Sequence, residues 1–233
     1  MLQLFEMLDA VRHCSFSARL DCHYLVRAPE AAGPQTLLFV ALHGFGQTPE
    51  IMLPLTEKFV GSRHVVAALE APSAFFLPSK PGQPYDTGCS WATTRHAASA
   101  VRLHHEMVRH VLSEAGREYG IPPERRFLVG FSQPVSLNYR FAATCPGAVR
   151  GVIGLCGGIP SDWETGPYRA IDASILHVAR REDEYYPPAK TEQYEQKLRL
   201  RCEDVEFHLI DGGHRFPSKG GVILEGWLGR ILR

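Results

Sequence analysis

The sequence predicts an α/β fold with a mostly parallel central sheet and helices on both faces. Six short apolar, β-branched runs recur along the chain, and helical patterns lie between most of them, which is typical of a parallel sheet buried on both sides. The six runs span residues 36–42, 64–69, 127–130, 152–155, 174–179 and 205–210. Because α/β chains of 233 residues commonly form one domain, we expect a single domain over residues 1–233.

Shorter or less regular elements are predicted around this set. Residues 2–11 have the pattern of a short amphipathic helix, and residues 17–26 predict an antiparallel edge strand ahead of the parallel set. Residues 71–91 form the longest stretch without clear periodicity. Since long irregular loops in compact domains are usually functional or mobile, we expect this loop to contact substrate.

Two long helices are predicted from apolar residues at helical spacing. The first spans residues 94–119 and ends at Gly120, a residue type that often follows a helix C-terminus. The second spans residues 221–232 and turns Val222 and Trp227, among other apolar side chains, toward the core.

The composition excludes several classes of function. Basic and acidic residues number 25 each, so the net charge is zero and the chain lacks the basic surface on which nucleic-acid binding depends. Glu6 and Asp9 interrupt the apolar start where a signal peptide would continue, and no run is long enough to span a membrane. We therefore expect a cytoplasmic protein with no membrane span and no nucleic-acid partner.

Cysteine and histidine spacing argues against a metal site. The six cysteines form no C-x-x-C pair, which indicates reduced structural thiols. His104 and His105 lie near His110, but neither stands three or four residues from it, so neither would share a helix face with it. The sequence predicts no metal and no organic cofactor.

The most informative segment is residues 126–134, where an apolar run ends in Gly130-Phe131-Ser132 and a helix-compatible stretch follows. This is the sequence form of a nucleophile elbow, a tight strand-to-helix turn that exposes a hydroxyl. Gly88-Cys89-Ser90 has similar letters, but it follows a turn-like segment, and we expect no strand before it. Ser132 is therefore the candidate nucleophile of a serine hydrolase.

A serine nucleophile needs a base and an orienting acid, and the loops after later strands supply both. Asp183 follows the predicted strand at residues 174–179, and His214 follows the strand at residues 205–210. The chain order Ser132, Asp183, His214 is that of the α/β-hydrolase fold.

Such an enzyme also needs hydrogen-bond donors for the oxyanion that forms in the transition state. The first parallel strand ends in residues 43–47, a glycine-rich turn that can aim a backbone N–H into the same cleft. The N–H of Gln133, directly after the nucleophile, would be the second donor.

Four segments make the chain resemble the phospholipase/carboxylesterase family of small serine esterases, which includes the acyl-protein thioesterases. They are LHGFG at 42–46, IPPERRFLVGFSQ at 121–133, EDEYYP at 182–187 and DGGHRF at 211–216. The resemblance implies that Ser132 is the nucleophile, His214 the base and Asp183 the orienting acid. It also implies that Phe45 and Gln133 offer the two oxyanion N–H groups.

Glu182 and Glu184 flank Asp183 and are alternative acids. Asp183 is preferred because its spacing to Pro187 matches the family. Its shorter side chain also suits a fixed hydrogen bond to an imidazole.

Several aromatic side chains fall in loops on the expected active-site side. We expect Phe76, Trp91 and Tyr185 to bind substrate by lining an acyl or aryl pocket. Each could equally pack its own loop onto the domain. The same two readings apply to Phe75, Trp163 and Tyr186.

The sequence thus predicts a serine esterase that cleaves a carboxylic ester or thioester of a small-molecule or acyl substrate through an acyl-enzyme on Ser132. A lysophospholipase or a peptidase on the same scaffold is one alternative. A catalytically silent hydrolase-fold protein that binds a small ligand is another, because the family usually has glycine where this chain has Pro134, and Asp or a small residue where it has Gln47. Monomer and homodimer both stay open.

Overall fold

The computed structural model describes residue 12, residues 14–79 and residues 81–233. The predicted helix at residues 2–11 lies outside the described residues. The strands, numbered along the chain, are β1 (Tyr24–Arg27), β2 (Leu38–Leu42), β3 (Val65–Leu69), β4 (Ser73–Phe76), β5 (Thr87–Ser90), β6 (Arg126–Phe131), β7 (Gly151–Leu155), β8 (Ser174–Arg180) and β9 (Val205–Ile210). The helices are α1 (Pro49–Val60), α2 (Ala97–Glu118), α3 (Val135–Thr144), α4 (Pro188–Thr191), α5 (Tyr194–Arg199) and α6 (Gly221–Ile231).

A seven-stranded sheet forms the centre of the fold, in the spatial order β1-β3-β2-β6-β7-β8-β9. β1 pairs antiparallel with β3, and every other pairing in this sheet is parallel. The predicted mostly parallel sheet is therefore confirmed. Because parallel strands all end at the same edge, the loops after β2, β6, β8 and β9 meet there.

Helices cover both faces of the sheet, as predicted. Neighbouring residues of one strand point to opposite faces, so the strands contribute to two cores. One core contains Val40 of β2 with Val108 of α2. The other contains Phe39 of β2 with Trp227 of α6. Among the helices that the structure describes, none is both long and apolar enough to cross a bilayer.

The edge strand is shorter than predicted. β1 begins at Tyr24, whereas the prediction began at residue 17, and its four residues pair with Val66 to Leu69 of β3. The physical reason is that β3 has only five residues, so there is no partner for the upstream segment.

Residues 71–91 are not a wholly irregular loop, which corrects the prediction. They contain the antiparallel pair β4–β5, a second, two-stranded sheet. Burial does not alternate along either strand, so their sequences show no period of two. The prediction of no strand before Ser90 was therefore wrong, although this strand leads into no helix.

Val222 was also assigned wrongly. Its side chain is 80% exposed at the start of α6, whereas Trp227 is fully buried as predicted. Val222 lies three and four residues before Glu225 and Gly226, which are also exposed, so it belongs to the solvent-facing side of the helix.

We expect Gly226→Ala in α6 to raise the free energy of unfolding by about 0.5–1 kcal/mol, because glycine loses more backbone entropy in a helix than alanine does. A Cβ at Gly226 would meet nothing within 4 Å. The matched change Gly154→Ala in β7 should lower that free energy by about 1–3 kcal/mol, because overpacking strains a core. There the Cβ would meet the Tyr139 hydroxyl and, at 2.8 Å, Val135 Cγ1. Urea denaturation measures both changes, and equal stabilities would contradict the packing of α3 on β7.

Candidate active site

Ser132 lies in the turn between β6 and α3, in a left-handed backbone conformation with φ of 64°. Such a conformation is unfavourable for a residue with a side chain and persists only where its surroundings enforce it. Ser132 N–H donates to Leu155 O at 2.8 Å, and Ser132 O accepts from Val135 N–H at 3.2 Å. Gly157 leaves room for this turn, since a Cβ there would lie 2.5 Å from Ser132 O. The strand β7 and the helix α3 together fix the elbow.

Pro134 fits the start of α3 without loss of a needed donor. Its φ of −75° and ψ of −8° suit a helix start, where a free N–H has no partner within the helix. Its carbonyl accepts the N–H of Asn138 at 2.9 Å. The elbow therefore accommodates proline at the position where the family usually has glycine.

The structure brings Ser132, His214 and Asp183 into one hydrogen-bonded chain. His214 Nδ1–H donates to Asp183 Oδ2 at 2.8 Å, which leaves Nε2 as the acceptor. Ser132 Oγ–H then donates to His214 Nε2 at 2.9 Å. The three residues come from the ends of β6, β8 and β9, so the parallel sheet is what gathers them.

Asp183 is the one acid of its loop that bonds the imidazole. Its carboxylate is fully buried, and Oδ1 accepts the N–H groups of Tyr185 at 2.9 Å and Tyr186 at 2.8 Å. Both carboxylate oxygens therefore have partners, as a buried charge requires.

Glu182 and Glu184, the two alternative acids, bond backbone N–H groups rather than the imidazole. Glu182 accepts the N–H of Gly212, and Glu184 accepts the N–H of His214 at 3.1 Å. The backbone hydrogen bonds lower the pKa of Glu184. Two carboxylates of the acid loop thus bind the backbone of the histidine loop and hold the two loops together.

Aromatic rings surround the His214 imidazole. Phe131 lies 5.2 Å from it, Tyr185 4.8 Å in an edge-on arrangement, and Tyr186 5.8 Å in a stacked one, measured between ring centroids. Burial and the nearby Asp183 raise the pKa of Tyr186, which keeps its hydroxyl neutral. The rings restrict the imidazole to the orientation that reaches Ser132.

The turn at residues 43–47 supplies one of the two expected oxyanion donors. Gln47 Oε1 accepts Gly44 N–H at 2.9 Å, and Gln47 N–H donates to Gly44 O at 3.1 Å. Within the described part of the chain, the N–H groups of Phe45 and Gln133 have no hydrogen-bond acceptor. Both expected donors are therefore available to a ligand.

The Gln133 side chain fixes the segment after β5. Its Oε1 accepts Trp91 N–H at 2.9 Å, and its Nε2 donates to Ala92 O at 2.8 Å and to Ser90 Oγ at 3.1 Å. Sequence reasoning considered only the backbone N–H of Gln133 and missed this role. The only indication of this role in the sequence is that a residue with an amide side chain directly follows the candidate nucleophile.

The predicted substrate-binding residues separate into two groups. Phe76 and Tyr185 are exposed, at 73% and 65%. Trp91 is buried, and its Nε1–H donates to His43 O at 2.8 Å, so it is a core residue rather than part of a pocket wall. Sequence could not distinguish these cases because the burial of a loop aromatic depends on the path of the loop.

The environments of His43 and Cys156 indicate structural roles. Burial lowers the pKa of His43, whose ring bonds the backbone at Gly44 O and Ala71 N. Burial raises the pKa of Cys156 to about 12, so this thiol next to the site is protonated at neutral pH. Among the described residues, no group of three or more His, Cys, Asp or Glu side chains has an arrangement that could hold a metal.

The fold and the order of the site residues define an α/β hydrolase. The model of the phospholipase/carboxylesterase family matches residues 23–220, and the chain belongs to this family. Membership in it supports ester hydrolysis as the general class of activity. A comparison of the sequence with curated proteins finds no match.

Crystal structures of other proteins share this fold. Esterase PE8 is 22% identical, with 92% of this chain and 100% of that chain covered and a TM-score of 0.69. The Bacillus cereus carboxylesterase is 15% identical, with 99% and 100% covered and a TM-score of 0.70. Arabidopsis thaliana SOBER1 is 22% identical, with 85% and 100% covered and a TM-score of 0.63. At these identities the likeness establishes the fold alone.

We expect Ser132→Gly to be more stable than Ser132→Ala by about 1 kcal/mol. Both changes remove the hydroxyl, but only glycine adopts the left-handed conformation of this turn without a steric penalty. Thermal unfolding of the two variants, followed by circular dichroism, measures the difference. Equal midpoints would show that the turn relaxes once the serine is replaced.

Proposed function

We propose that this chain is a serine esterase that hydrolyses carboxylic esters or thioesters through an acyl-enzyme on Ser132. The observation that carries the proposal is the continuous hydrogen-bonded chain from Ser132 Oγ through His214 to Asp183, with separations of 2.9 and 2.8 Å. A serine in an ordinary turn is not expected to hydrogen-bond an imidazole that a buried carboxylate orients. Nucleophile, base and orienting acid are the three parts that acyl transfer requires.

In the first half of the reaction, Ser132 Oγ attacks the ester carbonyl while His214 Nε2 accepts its proton. Asp183 stabilises the imidazolium that forms, because its buried carboxylate already bonds Nδ1–H. The imidazolium then gives its proton to the leaving alcohol or thiol, and the acyl group stays on Ser132. In the second half, His214 accepts a proton from the water that attacks the acyl-enzyme. The imidazolium then returns this proton to Ser132 Oγ as the acyl–oxygen bond breaks, which releases the acid and restores the enzyme.

The negative charge on the carbonyl oxygen needs donors that are in place before the reaction. The N–H groups of Phe45 and Gln133 meet this need, because neither has an acceptor among the described residues. Removing one oxyanion donor typically costs about 2.7–4 kcal/mol of transition-state stabilisation. The bonds of Gln47 to Gly44 hold the first of these donors in a fixed turn.

The silent ligand-binding alternative rested on Pro134 and Gln47. The geometry at Pro134 retains the N–H of Gln133, and Gln47 bonds the oxyanion turn. Both departures are therefore compatible with catalysis, which favours the esterase. A folded protein that hydrolyses no p-nitrophenyl ester from acetate to palmitate would favour the silent protein instead.

We expect a fluorophosphonate probe to label Ser132 and no other residue. Ser132→Ala should abolish labelling and lower turnover on the order of a million-fold, the loss seen when the nucleophile of a comparable triad is removed. Ser90→Ala is the matched control, because Ser90 is buried and its hydroxyl bonds Ala92 O; labelling should persist. Mass spectrometry of the labelled peptide identifies the site, and a label on Ser90 would refute the assignment.

We expect Asp183→Asn to lower kcat by about 10⁴-fold, because the amide favours the wrong imidazole tautomer and cannot stabilise an imidazolium. Glu184→Gln is the control in the same loop. Its amide oxygen can still accept the N–H of His214, so kcat should stay within about tenfold. Steady-state kinetics on p-nitrophenyl acetate compares the two variants. Similar losses in both would mean that Asp183 has no special part in proton transfer.

A further inference from the structure

A cleft of about 500 Å³ lies beside the catalytic residues and takes no part in the steps proposed above. Tyr186, whose ring stacks on His214 at 5.8 Å, forms part of its wall. Gly158 also lines it, and the preceding Gly157 packs against Ser132 O. The cleft therefore borders the site through Tyr186 and Gly158, and Ser132 itself does not line it.

Cations outnumber carboxylates in the wall of this cleft. Arg140, Lys190 and Lys197 line it together with Glu164. Lys197 Nζ pairs with Glu164 at 3.0 Å, and Arg140 pairs with Asp162 at 2.7 Å. Two of the three cations are thus neutralised by carboxylates close by.

Lys190 is the cation that stays unneutralised. It forms no ion pair with any described residue, and its Nζ lies 5.0 Å from the centroid of the Tyr186 ring. The same ring contacts His214, so this positive charge is one aromatic ring away from the catalytic base.

The surroundings of Arg140 are fixed by a hydrogen-bond network. Arg201 donates to Trp163 O at 2.7 Å and to Tyr168 O, and Tyr168 Oη–H donates to Asp162 at 3.0 Å. Because Asp162 is held in this way, Arg140 would have to break a network to reach a ligand. Lys190 breaks no ion pair when it turns toward one.

Neutral hydroxyl groups also line the cleft. Ser136, Ser161 and Tyr194 contribute to the wall, and burial raises the pKa of Tyr194 to about 12. Hydroxyl donors beside an ammonium suit a carboxylate or a phosphate oxygen, which accept hydrogen bonds and carry the complementary charge.

We infer that this cleft binds an anionic group of the ester substrate, a carboxylate or a phosphate, with Lys190 as its counter-charge. The inference rests on the esterase function proposed above and adds a substrate class: esters with a negative charge near the bond that is cleaved. An apolar acyl chain in the same cleft would gain nothing from the exposed ammonium of Lys190, whereas an anionic group would pair with it.

Two matched pairs of substrates test this inference and separate the two sources of the anion. The mono-p-nitrophenyl ester of adipic acid carries a carboxylate on the acyl side, and its methyl ester is the neutral partner. 1-Butyrylglycerol 3-phosphate carries a phosphate on the leaving group, and 1-butyrylglycerol is its neutral partner. We expect the wild type to prefer the anionic member of at least one pair by about tenfold in kcat/KM.

Single substitutions test which residue causes the preference for anionic substrates. Lys190→Gln should lower the anionic-to-neutral ratio of kcat/KM by about fivefold or more, because the amide retains a donor but not the charge. Lys58→Gln replaces an exposed lysine of α1 that does not line this cleft, and the ratio should not change. Salt should lower the wild-type ratio, since a partly exposed charge pair is screened.

The possible results distinguish this inference from the esterase proposal. Cleavage of neutral esters with no preference for an anionic partner would overturn the inference and leave the esterase proposal standing. An equal effect of Lys190→Gln and Lys58→Gln on the ratio would also overturn it. Failure to cleave any of the four substrates would overturn the esterase proposal and this inference together.

Discussion

The left-handed conformation of Ser132 is the constraint on which the site depends. A residue with a side chain does not adopt that conformation unless the chain on both sides is fixed. Here β7 fixes one side through Leu155 O, and the start of α3 fixes the other through Val135 N–H. Without the parallel neighbour β7 there would be no acceptor for Ser132 N–H. The hydroxyl that we propose as nucleophile is therefore positioned by the sheet rather than by its own segment.

The proposed base, His214, is positioned differently. The loop after β8 supplies the hydrogen bonds that orient it. Asp183 bonds the imidazole from a fully buried position, and Glu184 bonds the backbone of the same residue. Burial of Asp183 is tolerable because its two oxygens have three partners. Asp183 thus places a negative charge beside the imidazole, and its neighbour Glu184 holds the backbone of the same histidine.

Two glutamines connect the rest of the site. Gln47 bonds the turn at residues 43–47, and Gln133 bonds the segment at residues 90–92. The second contact holds the end of the β4–β5 sheet against the elbow. The same sheet meets the turn at residues 43–47 through its backbone, since Gly46 N–H donates to Cys89 O at 2.9 Å and a Cβ at Gly88 would lie 2.5 Å from Gly46 O. The β4–β5 sheet therefore links the proposed nucleophile turn to the turn that contains Phe45. The cleft lined by Arg140, Lys190 and Lys197 is not part of these links and lies beside Tyr186.

The sheet, the helices on its two faces and the order of the site residues could all be predicted from the sequence. These are local properties: apolar runs, helical spacing, and a serine in a strand-to-helix turn. Parallel topology then gathers the ends of β6, β8 and β9 at one edge, so chain order was enough to select Ser132, Asp183 and His214 as candidates. The burial of Trp91, the hairpin within residues 71–91 and the contact of Glu184 with the histidine loop could be seen only in the folded chain. The same holds for Lys190, which forms no ion pair with any described residue. The reason is that loop paths follow from contacts between residues far apart in sequence, and that burial does not alternate along β4 and β5.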